Sequence, residues 1–294
     1  MLSIFTPTYN RKQLLPRLYN SLQAQISREF EWIIVDDGSS DDTDILIREY
    51  ANAADFSILY YYQKNSGKHV AFNEAIKLAS GEIIICIDSD DYLAQDTSVS
   101  EILADWNCVK DEKNCAGIIS LKSLANGKLL GSEIPENMKF ASPFDLSHIY
   151  HLQGERNIIF RLAYLKEYMF PEYEGEKFCP DSYISDKMSQ KYTMYLRHKV
   201  DVICEYQDDG LSYKFKQLMK EYPKGFCISN MQMIDMEPSF RSMSMTAIRY
   251  WAFRFLAGNC NINYDGTKHK IWVKVCSVPG FALYIYYRFR LYQK

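Results

Sequence analysis

The 294 residues are 47% hydrophobic and 24% charged with a net charge of −3, an ordinary globular composition that excludes a disordered chain and suffices for one large core or two modest ones. No run approaches the roughly 18 consecutive apolar residues of a membrane-spanning helix. No repeat is present, and Met1-Leu2-Ser3-Ile4-Phe5 lacks the basic start of a signal peptide, so the mature protein is expected to begin at its own first strand. Eight cysteines show no CxxC pair and no zinc-ligand spacing, and read as reduced cytosolic thiols.

In chain order, short apolar runs alternate with helical patterns over the first 90 residues, the signature of a parallel sheet built from βα units. Leu2–Thr6 reads as the first strand. Leu14, Leu15, Leu18 and Leu22 then mark a helix, with Asn10 as a candidate cap and Pro16 tolerable in the early turns. Glu31–Val35 is the second strand, followed by a helix carrying Ile45, Leu46 and Tyr50 behind the capping residues Ser39 to Thr43. Ile58–Tyr62 is the third strand, and a helix from Lys68 to Leu78 follows it, with Gly81 where a C-terminal cap belongs. Ile83–Ile87, apolar throughout as a strand buried on both faces should be, is the fourth. Beyond it, strands are expected near 116–121, 157–161 and 200–206, and helices near 182–191, 239–257 and 280–291.

In an open α/β sheet a ligand sits beyond the carboxyl ends of the strands. Here those ends are polar: Thr6-Pro7-Thr8-Tyr9-Asn10, Asp36-Asp37-Gly38-Ser39, Asn65-Ser66-Gly67-Lys68-His69 and Asp88-Ser89-Asp90-Asp91. Asp88 and Asp90, one residue apart after a buried run, form a paired oxygen site suited to Mg²⁺ or Mn²⁺, or else a solvated acidic turn. Asp36, nearest its strand, is a candidate acceptor for a base N–H, whereas Asp37 organises the loop. Lys68 either neutralises a diphosphate or is a solvated helix residue, and His69 is structural. There is no GxGxxG after the first strand, no GxxxxGK[ST] and no GxSxG, which removes the dinucleotide, P-loop and simplest hydrolase readings.

These segments resemble the family-2 glycosyltransferases of the GT-A fold, inverting enzymes of bacterial polysaccharide synthesis. The matching pieces are Phe5 to Arg11, Ile34 to Thr43, Asn65 to Asn73 and Ile87 to Tyr92, four in the family's order over about the first 95 residues. The resemblance implies a Rossmann-like, mostly parallel central sheet flanked by helices. It also implies transfer from a nucleotide diphosphate sugar, with UDP the expected nucleotide and Mn²⁺ or Mg²⁺ the cofactor, to a glycan or lipid-linked acceptor; no nucleic-acid partner is expected, because the aromatic residues interleaved with the basic ones after residue 215 suit a membrane interface better. Thr6, Tyr9 and Asp36 would line the base pocket, and Lys68 would contact the nucleotide. Asp88-Ser89-Asp90 would be the DXD motif, with Asp90 the direct metal ligand, Asp88 on ribose or metal, and Asp91 a structural neighbour.

Phe170 to Asp181 resembles the segment before the family's catalytic carboxylate, but the usual Glu-Asp pair is Asp181-Ser182 here. Asp181 is therefore the candidate base and Glu176 the runner-up. Tyr206 to Ser212 resembles an acceptor-side loop. Two rivals are carried alongside: a nucleotidyltransferase, disfavoured because no Gly-rich basic loop follows the first strand, and a non-catalytic nucleotide-binding scaffold, kept by the missing pair.

Charge divides the chain. Residues 216–294 hold 12 Lys+Arg against 4 Asp+Glu, a net of +8, leaving −11 on the first 215. The expected organisation is a transferase domain over 1–215, with a nucleotide-binding half over 1–95 and an acceptor half over 96–215, and a basic, aromatic helical extension over 216–294. Arg249, Arg254, Lys270, Lys274, Arg288 and Arg290, interleaved with Trp251, Phe253, Phe255, Trp272, Phe281, Tyr284 and Tyr287, suit peripheral contact with an anionic inner membrane face, or a stripe packed on its own domain.

Overall fold

The computed structural model describes residues 1–205, 207, 213–258 and 260–292. The first half alternates strictly: β1 (Leu2–Thr8), α1 (Leu15–Gln23), β2 (Phe30–Asp36), α2 (Thr43–Ala53), β3 (Ser57–Tyr62), α3 (Lys68–Leu78) and β4 (Ile83–Cys86). Then follow β5 (Tyr92–Leu93), α4 (Ser98–Val109), β6 (Cys115–Leu124), β7 (Phe140–Ala141), α5 (Pro143–His148), β8 (Arg156–Arg161), α6 (Leu162–Leu165), α7 (Ser182–Ser189) and β9 (Thr193–Cys204). The chain ends in α8 (Phe215–Glu221), α9 (Pro223–Met233), α10 (Phe240–Leu256), α11 (Lys270–Val275) and α12 (Ser277–Tyr292).

The strands form one nine-stranded sheet in the order β3-β2-β1-β4-β8-β6-β9-β5, with β7 paired to β9. β1 lies parallel between β2 and β4, and β2 pairs parallel with β3, so the first four strands direct their carboxyl ends to one rim. The second half is mixed: β8 runs antiparallel to both β4 and β6, while β6 and β9 are parallel. The expectation of a mostly parallel sheet therefore holds for the nucleotide-side half and gives way at β8. β1, β2 and β4 are covered on both faces and buried almost throughout, whereas β3, at the edge, alternates between half-buried and exposed positions.

Two local expectations are corrected. Asn10 does not cap α1, because its backbone is left-handed (φ 51°) and Leu14 holds the N-cap position. Gly81 is not a left-handed helix cap either: α3 ends on Ala79 in an extended conformation, and a Cβ at Gly81 would come within 2.7 Å of Ser3 Oγ and 2.8 Å of the Met1 carbonyl. Glycine is needed there for close approach. Helix α4 was legible yet absent from the expectations: Val99, Ile102, Leu103, Trp106 and Val109 recur at helical spacing and are all buried.

The chain divides into two compact units, residues 1–169 with 191–207, and residues 170–190 with 208–294. In the first, α1, α2 and α4 pack Leu18, Leu22, Ile47, Ile102 and Trp106 with the strand residues Ile4, Trp32, Ile34 and Ile85. Arg197 on β9, only 5% exposed, ties that strand to α4 by pairing with Glu101 and Asp105, and it also holds Asp201 at 3.1 Å. The second unit packs Phe226, Cys227, Met243, Ala247, Tyr250, Phe253, Ile262 and Val273.

The expected boundary at 215/216 is corrected, since residues 170–190 join the C-terminal helices. Tyr173 and Phe178 pack against the second core. The Tyr183 carbonyl accepts from Gln232 Nε2 at 2.8 Å.

Candidate active site

At the end of β1 the Tyr9 ring stands 49% exposed. The next residues are pinned to the loop after β2. The Asn10 amide donates to Ser39 Oγ at 2.8 Å, the Ser40 amide donates to Asn10 Oδ1 at 2.8 Å, and the Lys12 amide donates to Asp41 Oδ2 at 2.9 Å. Asn is among the few residues that accept left-handed backbone, which explains its place at this tight junction.

Asp36 ends β2 and is buried, with one carboxylate oxygen accepting from the Ser39 amide at 2.7 Å and the other from the Tyr60 hydroxyl at 2.8 Å. Burial, and then that bond, push the Tyr60 phenol well above its ordinary range. A carboxylate has about four acceptor positions, so two donors leave room for a ligand N–H. Asp37 organises the next loop, accepting from Gln63 Nε2 and the Ser66 amide at 2.7 Å and from the Gly67 amide at 2.8 Å. Gly67, at φ 98°, occupies backbone space closed to other residues and starts α3.

Thr6 departs from its expected place. It is fully buried, and its hydroxyl accepts from the Trp32 indole at 2.9 Å, so the side chain belongs to the core. Thr8, two residues on, was missed. Its Oγ1 is buried without a hydrogen-bond partner, and it lies in register with Asp36 across the parallel β1–β2 pair. An unpaired buried hydroxyl is costly unless something satisfies it. The sequence signal was present, because Thr6 and Thr8 share a strand face, but choosing between them requires knowing where the core ends.

The turn after β4 is closed by the Asp91 amide donating to the Asp88 carbonyl at 3.0 Å. Each of its carboxylates meets a cation. Lys68 Nζ lies 2.9 Å from Asp88 Oδ1 and 3.0 Å from Oδ2. Arg11 Nη1 lies 2.9 Å from Asp90 Oδ2, and Lys122 Nζ lies 3.6 Å from Asp91 Oδ2. Arg17 donates to the Asp90 carbonyl at 3.2 Å and pairs with Glu205. Arg11, Arg17 and Lys122 were not anticipated, since only folding brings residues so far apart in sequence onto this turn.

Burial raises the Asp88 carboxyl, but Lys68 and then Lys122 outweigh it and leave the group below the usual carboxylate range. Asp90 is raised, by burial and then by the Asp88 charge, against Arg11. Asp91 is pushed up to about 6 by burial and Asp88 against Lys122, and it also takes bonds from the Cys204 thiol at 3.2 Å and the Glu205 amide at 3.4 Å. Asp91 is thus built into the fold on three sides. His69 is buried at the start of α3.

In the second unit, Asp181 is exposed at the N-terminus of α7, and its side chain does not cap that helix. Glu176 is 9% exposed, and its Oε2 accepts from the backbone amides of Lys224 at 3.0 Å and Gly225 at 3.4 Å, the first turn of α9. Burial raises its carboxyl against those amides. Of the expected acceptor-side loop, Tyr206 and residues 208–212 lie outside the described residues.

Four parallel strands ending in an aromatic ring, a buried carboxylate and an acidic turn, continued by a mixed second half-sheet, define a GT-A fold. Residues 3–111 match the family described as Glycosyl transferase family 2, so this segment is a family-2 glycosyltransferase domain. Among its relatives is the poly(ribitol-phosphate) beta-N-acetylglucosaminyltransferase TarS of Staphylococcus aureus, 31% identical over 179 residues, which are 58% of this chain and 29% of that protein. Another is the poly(ribitol-phosphate) beta-glucosyltransferase of Bacillus spizizenii, 29% identical over 213 residues, 68% of this chain and 32% of that protein. The matched region thus spans about a third of these relatives' length.

The crystal structure of S. aureus TarS 1–349 in complex with UDP-GlcNAc superimposes with a TM-score of 0.61 at 20% identity, covering 97% of this chain and 81% of that one. The GT-A fold is shared.

Proposed function

We propose that the chain transfers a sugar from a nucleotide diphosphate sugar, with UDP as the nucleotide, to a glycan or lipid-linked glycan, inverting the anomeric carbon. The observation that carries this reading is the strand-end rim, where Tyr9, Asp36 and the Asp88–Asp90 turn emerge from three adjacent parallel strands with Lys68 and Arg11 beside them. The UDP-GlcNAc complex of the S. aureus relative favours uridine.

The Tyr9 ring offers a face to the base. Asp36 accepts the imide hydrogen, and the unpaired Thr8 hydroxyl is placed to bond the same ligand. Lys68 and Arg11 turn from the acidic residues to the diphosphate.

Asp90 would hold a divalent ion directly, with Asp88 on the ion or the ribose. Among the described residues no cluster of three or more His, Cys, Asp or Glu could hold a metal alone, so a bound ion would draw its remaining ligands from phosphate oxygens and water. That all-oxygen set fits Mn²⁺ or Mg²⁺. The bound ion supplies Lewis-acid neutralisation of the departing diphosphate.

Asp181 takes the proton from the acceptor hydroxyl as it attacks. Glu176 is the weaker candidate, because its carboxylate already serves the first turn of α9. The chain works peripherally at the inner membrane face, where a lipid-linked acceptor is presented. Its C-terminal aromatic and basic helices support this.

The test is a thermal-shift and transfer screen over nucleotide diphosphate sugars with Mn²⁺. A donor at about 100 times its Kd should add roughly 2.7 kcal/mol of stability, and UDP release should follow acceptor addition. No shift and no release with any donor sinks the proposal. Stabilisation without turnover, in the presence of a lipid-linked or polymer acceptor, sustains the scaffold reading instead.

A further inference from the structure

We infer that α11 and α12 form a membrane-docking face that lies flat on a bilayer of anionic headgroups, with Val278, Ile285 and Phe289 entering the acyl boundary. The inference deepens the peripheral-association part of the proposed function and names the surface that would perform it.

Helix α12 carries two apolar faces. Gly280, Tyr284 and Tyr287 face α10: a Cβ at Gly280 would come within 2.4 Å of Trp251 Cβ, Tyr284 meets Phe255 at 5.8 Å between centroids, and Tyr287 meets Phe253 at 5.6 Å. On the opposite face Val278, Ala282, Ile285 and Phe289 recur at i, i+4, i+7 and i+11, and Val278 is 76% and Phe289 70% exposed. A helix at the surface of a globular unit ordinarily turns polar residues outward. Helix α11 repeats the departure: Ile271, 85% exposed, and Val275, 52% exposed, lie one turn apart.

The membrane-facing set therefore differs from the one composition suggests. Trp251 is tied inward by its indole, which donates to the Val273 carbonyl at 2.6 Å, and Phe255 packs on Phe281.

Charge selects the occupant. Residues 266–292 contain five Lys or Arg and no Asp or Glu, and Lys270, Lys274, Arg288 and Arg290 are exposed, with the two arginines flanking Phe289 on α12. A second copy of this face would set like charges against each other across a self-complementary interface. A nucleic acid would meet the charges and leave the stripe in water. Anionic lipid satisfies both, with basic residues at the headgroups and apolar ones below them. At 1.5 Å per residue the 16-residue α12 is about 24 Å long, short of the roughly 30 Å hydrocarbon core, so it lies in the interface plane.

The test is flotation of the full chain with vesicles of phosphatidylcholine, with and without phosphatidylglycerol, beside the exposed triple substitution Val278→Ser, Ile285→Ser, Phe289→Ser. The full chain should float with phosphatidylglycerol at low salt and be released at high salt. The triple variant should lose roughly tenfold or more in partitioning at unchanged Tm, and each of Lys270→Gln, Lys274→Gln, Arg288→Gln and Arg290→Gln on the order of fivefold.

Absent flotation, equal flotation by the triple variant, or a triple variant that only converts a dimer to a monomer in sedimentation overturns the inference. UDP-dependent thermal shift is read in parallel. A full chain that does not float but is stabilised by UDP defeats the docking face alone, whereas a full chain that floats without UDP stabilisation defeats the transferase reading alone.

Discussion

The two units treat polarity in opposite ways. In the first, the central strands are buried on both faces and polar residues gather where those strands stop, so carboxylates and cations from β1, β2, β4 and the start of α3 meet at one rim. In the second, helices hold a core of their own and still present Ile271, Val278 and Phe289 to the surface. A sheet edge concentrates chemistry because the chain must turn there. An outward apolar helix face does no such work and calls for an apolar environment.

The sharpest way to break this contrast is at the rim. Asp90→Ala should lower transfer on the order of a thousandfold with little change in melting temperature, whereas Asp91→Ala, which removes the partner of Lys122 from a buried site, should chiefly destabilise. Transfer by Asp90→Ala at the unsubstituted rate and indifferent to chelator would remove the metal from the mechanism.

The next effect lies in the second unit, which the contrast assigns to folding and surface alone. Asp181→Asn should cut kcat by about 10²- to 10⁴-fold while donor affinity holds, because a base acts on the acceptor proton. Normal turnover in Asp181→Asn together with a dead Glu176→Gln would transfer the role to Glu176.

Arg197 tests whether the first unit's polar groups can serve the fold alone. Removing it strands Asp201, and Arg197→Ala should destabilise by about 3–5 kcal/mol without altering donor affinity per folded molecule. Its partner Glu101 is held down to about 2, by Lys199 and then by Arg197. A depressed carboxyl contributes stability that is complete above its unfolded value near 4.5 and lost as pH falls through about 2. Denaturant titrations across that window should show Glu101→Gln less acid-sensitive than the unsubstituted chain; parallel curves would contradict the pairing.

The smallest effect is expected at Glu176. Glu176→Gln keeps an acceptor for the Lys224 and Gly225 amides and removes a charge that burial disfavours, so stability should stay within about 1 kcal/mol of the unsubstituted chain with activity near normal.

Much of this was readable before folding was considered. An isoleucine run between Gly81 and Asp88 admits few structures besides a strand buried on both faces, and a chain that must then turn gathers polar residues there, so Asp88 and Asp90 were legible as an acidic strand-end turn. Asp37 as loop organiser was legible too, since an Asp before Gly and Ser is loop chemistry wherever it occurs. The amino-acid sequence by itself thus determined the alternating first half, the polar strand ends and the basic, aromatic C-terminus, all of them local patterns.

Only the tertiary structure decided which polar residue meets which. It turned Thr6 into the core and left the buried Thr8 hydroxyl unpaired across from Asp36, set Arg11 on Asp90 and Lys122 on Asp91, and engaged Glu176 with α9. It also divided the C-terminal rings, holding Trp251 inside and leaving Phe289 out. The physical reason is the same in each case: periodicity fixes the face on which a side chain emerges, but burial and pairing depend on strands and helices that are remote in sequence and come into register only on folding.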